Sequence, residues 1–137
     1  MFDLMHFQIG AGYFLVAFAL ACVFALVFKV LYQWVTPYKE TDLIKQGNVA
    51  AAVALAGAML GYVLALASAL SHTSSLAEFA AWATLAGVIQ IAAFSLVRIL
   101  FLKDVKSRIE AGELAPALYL ASISICVGLI NAASMTD

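Results

Sequence analysis

Four apolar segments, each long enough to cross a lipid bilayer, constrain the fold of this chain more than any other feature. They lie at about residues 11–34, 49–70, 76–102 and 114–134. About 20 apolar residues are needed to cross the hydrocarbon core as a helix. The chain is 66% hydrophobic and only 11% charged, whereas soluble domains are about half apolar and about a quarter charged. The sequence therefore predicts an all-α membrane protein with four transmembrane helices.

The basic residues are confined to two of the connections between these segments. All seven lie in or beside residues 29–48 and 98–113, and the turn at residues 71–75 has none. Connections rich in Lys and Arg stay in the cytoplasm by the positive-inside rule. We therefore expect both termini to lie outside. The predicted cytoplasmic basic residues are Lys39, Lys45, Lys103, Lys106 and Arg108.

The two halves of the chain align with each other at an offset of 65 residues. This offset superposes an I-x-x-G-x-x-A-x-A core that begins at Ile44 in the first half and at Ile109 in the second. Each copy contains two spans, an even number, so the copies have the same orientation in the membrane. The sequence predicts two tandem parallel two-helix repeats, at residues 1–72 and 73–137.

Local signals place the helix ends. Gly10 and Gly12 suggest a break before the first span, and Thr41 can cap a short helix over residues 42–46. Apolar residues at helical spacing continue the third span as an amphipathic helix to Gly112.

Small residues at helical spacing predict close helix packing. Gly57 and Gly61 form a G-x-x-x-G pair in the second span, which lets two helix backbones approach closely in lipid. Asn48 can cap that span. Packing within one subunit and packing between subunits both remain open. The residues predicted to serve helix packing are Gly47, Asn48, Gly57, Gly61 and Gly112.

Two polar side chains fall at membrane depth. Gln90 lies near the middle of the third span and Asn131 near the outer end of the fourth. An unpaired amide in hydrocarbon costs several kcal/mol, so each side chain needs a polar partner. Each of them either forms an interhelical hydrogen bond or lines a water-filled path.

The sequence offers little for catalysis or for cofactor binding. His6 and His72 are the only histidines, and no acid is spaced to orient either of them. A metal site formed by these histidines and Glu78 would require three distant points to converge. A net charge of −1 without a basic tail argues against nucleic acid as a partner. We expect neither enzymatic activity nor a cofactor or metal.

Two stretches carry a family resemblance. They are TPYKETDLIKQGNVAAAVALAGAMLG in the first half and IEAGELAPALYLASISICVGLINAAS in the second. The chain thereby resembles the YjfL-like bacterial inner-membrane proteins, domain of unknown function 350. The resemblance implies an inner-membrane location and genomic company with envelope-stress proteins of the phage-shock type. It implies no reaction and no catalytic residues.

Two functions fit these features. The first is a non-catalytic membrane protein that forms a homo-oligomer through its small-residue faces, contacts membrane lipids and presents its cytoplasmic connections to an envelope-stress partner. The alternative is an oligomeric pore or small-molecule conduit lined by Gln90, Thr84 and Ser95.

Overall fold

A computed structural model describes residues 2–101 and 103–135, and all regular structure among them is helical. Within these residues four helices are long and apolar enough to cross a membrane, and two short helices connect them in pairs. This confirms the all-α fold and the four predicted spans. The helices are α1 (Leu4–Val35), α2 (Glu40–Lys45), α3 (Val49–His72), α4 (Leu76–Phe101), α5 (Val105–Glu110) and α6 (Leu114–Ser134).

The closest helix pair is α3 with α6. Gly57 lies against the backbone of Ala121, and Gly61 lies against the backbones of Ser124 and Gly128. The residue numbers at the contacts increase in the same direction along both helices, so α3 and α6 run parallel. The absence of side chains at these glycines is what lets the backbones meet, as the G-x-x-x-G spacing predicts.

Helices α1 and α4 pack around this central pair and are also parallel to each other. Phe24 of α1 meets Phe79 of α4 edge to face, with ring centroids 5.7 Å apart. Further along both helices, the rings of Tyr32 and Phe94 are 4.8 Å apart. The two halves of the chain therefore run in the same direction through the bundle.

Because the halves are parallel, the connections that contain α2 and α5 lie at the same end of the bundle. The Asn48 side chain joins them directly: its Nδ2 donates to the Ile109 carbonyl oxygen at 2.8 Å. Its Oδ1 accepts from the Ala51 N–H at 3.0 Å and so caps α3 as predicted. We call this end of the molecule the basic end. It carries Lys39, Lys45, Lys103, Lys106 and Arg108.

The two connections have the same local structure. Glu40 and Val105, which begin the short helices, are 65 residues apart, and so are Lys45 and Glu110, which end them. Each helix is followed by a glycine with positive φ, Gly47 at +87° and Gly112 at +82°.

This conformation corrects the packing role predicted for Gly47 and Gly112. A Cβ at either glycine would have nothing within 4 Å. Both residues close a turn in a backbone conformation that disfavours other side chains. Within the described residues, neither glycine packs against another helix.

The predicted break at Gly10 and Gly12 is wrong, because α1 begins at Leu4 and runs through both glycines. The Asp3 carboxylate caps the helix by accepting two backbone N–H groups of its first turn, at 3.1 and 3.3 Å. A good cap and a long apolar run thus outweigh the low helix propensity of two glycines.

Two further boundaries differ from the prediction. Helix α2 begins at Glu40, and Thr41 lies inside it and accepts a hydrogen bond from Gln33 Nε2 at 2.8 Å. Helix α4 ends at Phe101 and does not continue to Gly112. The chain turns, and the separate helix α5 buries Val105 and Ile109. Burial of these two side chains favours the break over a straight amphipathic extension.

Candidate functional site

A seam of hydrogen bonds links α4 to α6 at membrane depth. Gln90 is only 3% exposed, and its Nε2 donates to the Ser124 carbonyl oxygen at 3.2 Å. The Asn131 Nδ2 donates to the Ala86 carbonyl oxygen at 3.1 Å and approaches Gln90 Oε1 at 3.5 Å. These contacts favour the interhelical hydrogen bond over the water-filled path as the role of both predicted intramembrane polar residues.

Two more hydrogen bonds join the spans. The Tyr62 hydroxyl donates to the Ala83 carbonyl oxygen at 2.9 Å, and Ser68 donates to the Ala132 carbonyl oxygen at 2.8 Å. The Tyr62 ring also stacks on Phe28 of α1, with centroids 4.3 Å apart. In lipid a polar group needs a partner within the protein, so these bonds hold the helices in one register.

A buried polar cluster lies at the basic end, where α1, α2 and α4 meet. Pro37 follows the end of α1, and the chain turns back so that α2 starts beside the helix it has just left. The Thr36 hydroxyl supports this turn by donating to the Gln33 carbonyl oxygen at 3.0 Å. We call the group the Glu40 cluster. It consists of Lys29, Tyr32, Tyr38, Glu40 and Arg98.

The Glu40 cluster contains polar atoms without partners. Glu40 is 2% exposed, Tyr32 is 1% exposed and Tyr38 is 3% exposed. Both carboxylate oxygens of Glu40, both tyrosine hydroxyls and Arg98 Nε are buried without a hydrogen bond of good geometry to the described residues. Native proteins bury few such atoms, and a concentration of them calls for a functional or energetic explanation.

Burial sets the protonation of this cluster. It raises the pKa of the Glu40 carboxyl from an ordinary 4.5 to about 8, and the nearby Lys29 ammonium and Tyr32 hydroxyl offset only part of that rise. Burial also raises the pKa of Tyr38 above its usual range, and the adjacent Glu40 adds to the effect. Glu40 is therefore mainly uncharged at neutral pH.

An apolar groove of about 460 Å³ runs between α1 and α4. Leu31 and Trp34 form its α1 wall, and Val88 and Ala92 form its α4 wall. Polar atoms contribute little to its surface. The groove lies at membrane depth and reaches the last turn of α1, close to the Glu40 cluster.

The exposed surface of the basic end contains a cleft of about 300 Å³ between α2 and α5. Lys39 and Asp42 line one side of the cleft, and Lys106 and Glu110 line the other. Charges of both signs face each other here without forming a close ion pair. Arg108 is already paired, because its Nε donates to Glu113 at 3.1 Å.

Comparison with known proteins identifies the family. The family model described as Domain of Unknown Function (DUF350) matches residues 5–135. The chain belongs to this family. The UPF0719 inner membrane protein YjfL of Escherichia coli K12 is 33% identical over 132 residues, covering 96% of this chain and 99% of that protein. The YjfL protein of Escherichia coli O157:H7 gives the same values. No solved structure matches. This DUF350 chain is thus a multi-pass protein of the bacterial inner membrane.

The Glu40 cluster of this DUF350 chain was missed by the sequence interpretation. No residue of this cluster was predicted to belong to a site. One signal was available: Tyr32, Tyr38 and Glu40 follow one another at short spacing around Pro37, which can fold the chain back on itself. Arg98 is distant in the sequence, and only the parallel packing of α1 with α4 brings it there.

Proposed function

We propose that this DUF350 protein is a non-catalytic component of the inner membrane that self-associates through α1 and serves an envelope-stress or membrane-integrity system. The observation that carries the proposal is that the outer half of α1, about residues 4–16, is largely exposed on the surface of the chain. In the most apolar stretch of α1, 11% of the residues are buried within the chain. In the corresponding stretch of α3, 50% of the residues are buried.

One face of α1 is covered at the basic end and open at the other. Residues at three- and four-residue spacing lie on one helix face. On this face Phe28 and Tyr32 are buried in the bundle, whereas Phe7, Gly10 and Phe14 are exposed. The exposed part borders a hollow of about 500 Å³. The exposed part of this face continues the part that packs in the bundle, and its glycine permits close approach of another helix. It is therefore suited to contact a second α1 helix.

The topology that we propose has two tandem repeats, residues 1–72 and 73–137, with both termini outside. It is supported by the parallel pairs α1 with α4 and α3 with α6, and by the shared structure of the two connections. Clustering of the basic residues at one end supports a cytoplasmic position for that end.

The cytoplasmic partner in this proposal is a protein of the envelope-stress system. The cleft between α2 and α5 supports it, because Lys39 and Lys106 stand there with Asp42 and Glu110 and can meet charges of either sign. The genomic company implied by the family resemblance supplies the choice of system. The proposal includes no nucleic-acid partner. Membrane lipid surrounds the four spans.

The alternative of an oligomeric conduit gains no support from the geometry. Gln90 points into the α4–α6 contact and is bonded there. Thr84 donates to the Ala80 carbonyl oxygen of its own helix at 2.8 Å. Both polar side chains are therefore already hydrogen-bonded to backbone carbonyl groups, and they do not form a row of free polar groups on an open surface.

Cysteine cross-linking in native membranes tests self-association through α1. We expect Phe14→Cys, in a background with Cys22→Ala and Cys126→Ala, to give a disulfide-linked dimer under mild oxidation. The physical reason is that two copies of the open α1 face would bring the two thiols together across the interface. Gel mobility without reductant measures the dimer.

Ile130→Cys in the same background is the matched control. Ile130 is 67% exposed and Phe14 is 62% exposed, and both lie toward the outer end of the bundle. The control should remain monomeric on the gel. Equal dimer yields from the two variants would contradict association through α1.

Labelling in intact cells tests the topology. In the same background, Ser74→Cys should react with a maleimide reagent that crosses the outer membrane but not the inner one, because its turn lies outside. Lys45→Cys should react only after the inner membrane is opened. Both residues are exposed, so a reversed labelling order would show that the basic end faces outward.

A further inference from the structure

We infer that the α1–α4 groove binds an acyl chain of a glycerophospholipid and that Arg98 binds the phosphate of that lipid. The inference is independent of self-association through the outer half of α1. It rests on the shape of the groove, on its depth in the membrane and on the charges at one end of it.

The groove fits an acyl chain better than water or a polar solute. It holds about 460 Å³ between two spans, and its walls are formed mainly by apolar side chains such as Val27, Leu31 and Val88. Gly87 widens it, since a Cβ there would approach the Tyr62 ring at 3.3 Å. Water gains nothing in such a space, whereas a hydrocarbon chain makes dispersion contacts along it.

Arg98 stands where the headgroup of that lipid would lie. It is seven residues beyond Ile91, a groove residue, which places both side chains on one face of α4 two turns apart. The α1 wall ends at the same level with Trp34 and Val35, and a tryptophan at that depth marks the headgroup region. The acyl chain and the phosphate thus have adjacent sites along one face.

Arg98 is also partly exposed at this end of α4. A guanidinium binds phosphate oxygens through charge-assisted hydrogen bonds. Glu40, the carboxyl group of the same cluster, is mainly uncharged near neutral pH because burial raises its pKa to about 8. The cluster then carries the charges of Lys29 and Arg98 and attracts a single phosphodiester.

Native mass spectrometry of the whole protein in mild detergent tests the inference. The probes are palmitoyl-oleoyl phosphatidylglycerol and the diacylglycerol with the same two chains, which lacks the phosphate. We expect the wild type to retain one phospholipid and to bind the diacylglycerol at least about tenfold more weakly, since a charge-assisted hydrogen bond accounts for a difference of that size.

Two pairs of variants separate the headgroup from the groove. Arg98→Gln should weaken phosphatidylglycerol binding about tenfold, and Arg98→Lys should restore most of it. Lys103→Gln is the charge control, because Lys103 is exposed at the same end. Ala92→Phe should fill the groove and abolish retention, whereas Ala81→Phe adds the same ring at an exposed position of α4 that does not line the groove.

Several results would overturn the inference. Equal binding of both probes, or unchanged binding by Arg98→Gln, would remove the phosphate site. Unchanged binding by Ala92→Phe would place the lipid elsewhere. A fall in oligomer mass on Ala92→Phe but not on Ala81→Phe would show that a second copy of the chain occupies the groove. Ala92 is exposed, so its variant tests the groove even where an Arg98 variant folds poorly.

Discussion

Replacing Gly61 with alanine is expected to destabilise the bundle by about 1–3 kcal/mol, even though alanine is the better helix former. A Cβ at this position would overlap the Ser124 carbonyl group and would lie 2.9 Å from Gln90 Nε2. Helices α3 and α6 would have to separate, and Gln90 would lose its bond to Ser124. Unfolding of the purified protein by increasing fractions of a denaturing detergent measures the change.

Gly12→Ala is the matched control for this substitution. Gly12 lies within α1, and a Cβ there would have nothing within 4 Å. The control should be slightly more stable than the wild type, by up to about 1 kcal/mol, because only helix propensity changes. If the two alanine variants had the same stability, the contact between α3 and α6 would be less close than it is in the structure.

The sequence predicted a close helix contact at Gly57 and Gly61 but not its partner. Spacing identifies a surface that permits close approach, whereas the helix that uses it depends on the whole packing arrangement. A signal was present in the second half, since Ser124 and Gly128 are small residues at the same four-residue spacing. Their presence on α6 provides the partner within the same subunit.

The limits of sequence interpretation are clearest at the connections. Hydropathy predicted the four spans correctly, because it depends on composition over about 20 residues. Burial of Glu40 depends instead on one turn after α1 and on the approach of α4 from the other half. Such burial of a carboxyl group is unfavourable for the charged form, and no local sequence pattern predicts it.

Replacing Glu40 with glutamine should remove most of the pH dependence of stability above pH 5. The wild-type protein is expected to lose stability progressively as the pH rises from 5 to 9, by up to about 4 kcal/mol. Glutamine has nearly the same shape and stays neutral throughout. Melting temperature in mild detergent, measured from pH 5 to pH 9, follows both proteins.

The sign of this effect follows from the direction of the pKa change. The Glu40 carboxyl has a pKa of about 8 in the folded protein, against 4.5 when it is exposed to water. Between these values the folded state holds a proton that the unfolded state releases, so a rise in pH favours unfolding. The Lys29 ammonium and the Tyr32 hydroxyl favour the charged form of the carboxyl, but burial outweighs both and leaves its pKa raised.

Asp42→Asn distinguishes this effect from a general change in charge at the basic end. Asp42 lies on α2 with Glu40 but is exposed, so its neutralisation should leave the pH profile of the wild type intact. At pH 9 the Glu40→Gln protein should melt at a higher temperature than the wild type, and at pH 5 the two should agree closely. A wild-type melting temperature that stays flat from pH 5 to pH 9, or that rises, would mean that Glu40 is ionised in the folded protein. The unpartnered oxygens of Glu40 would then be bonded in solution to Arg98 or Lys29, because an isolated buried carboxylate is too costly to persist.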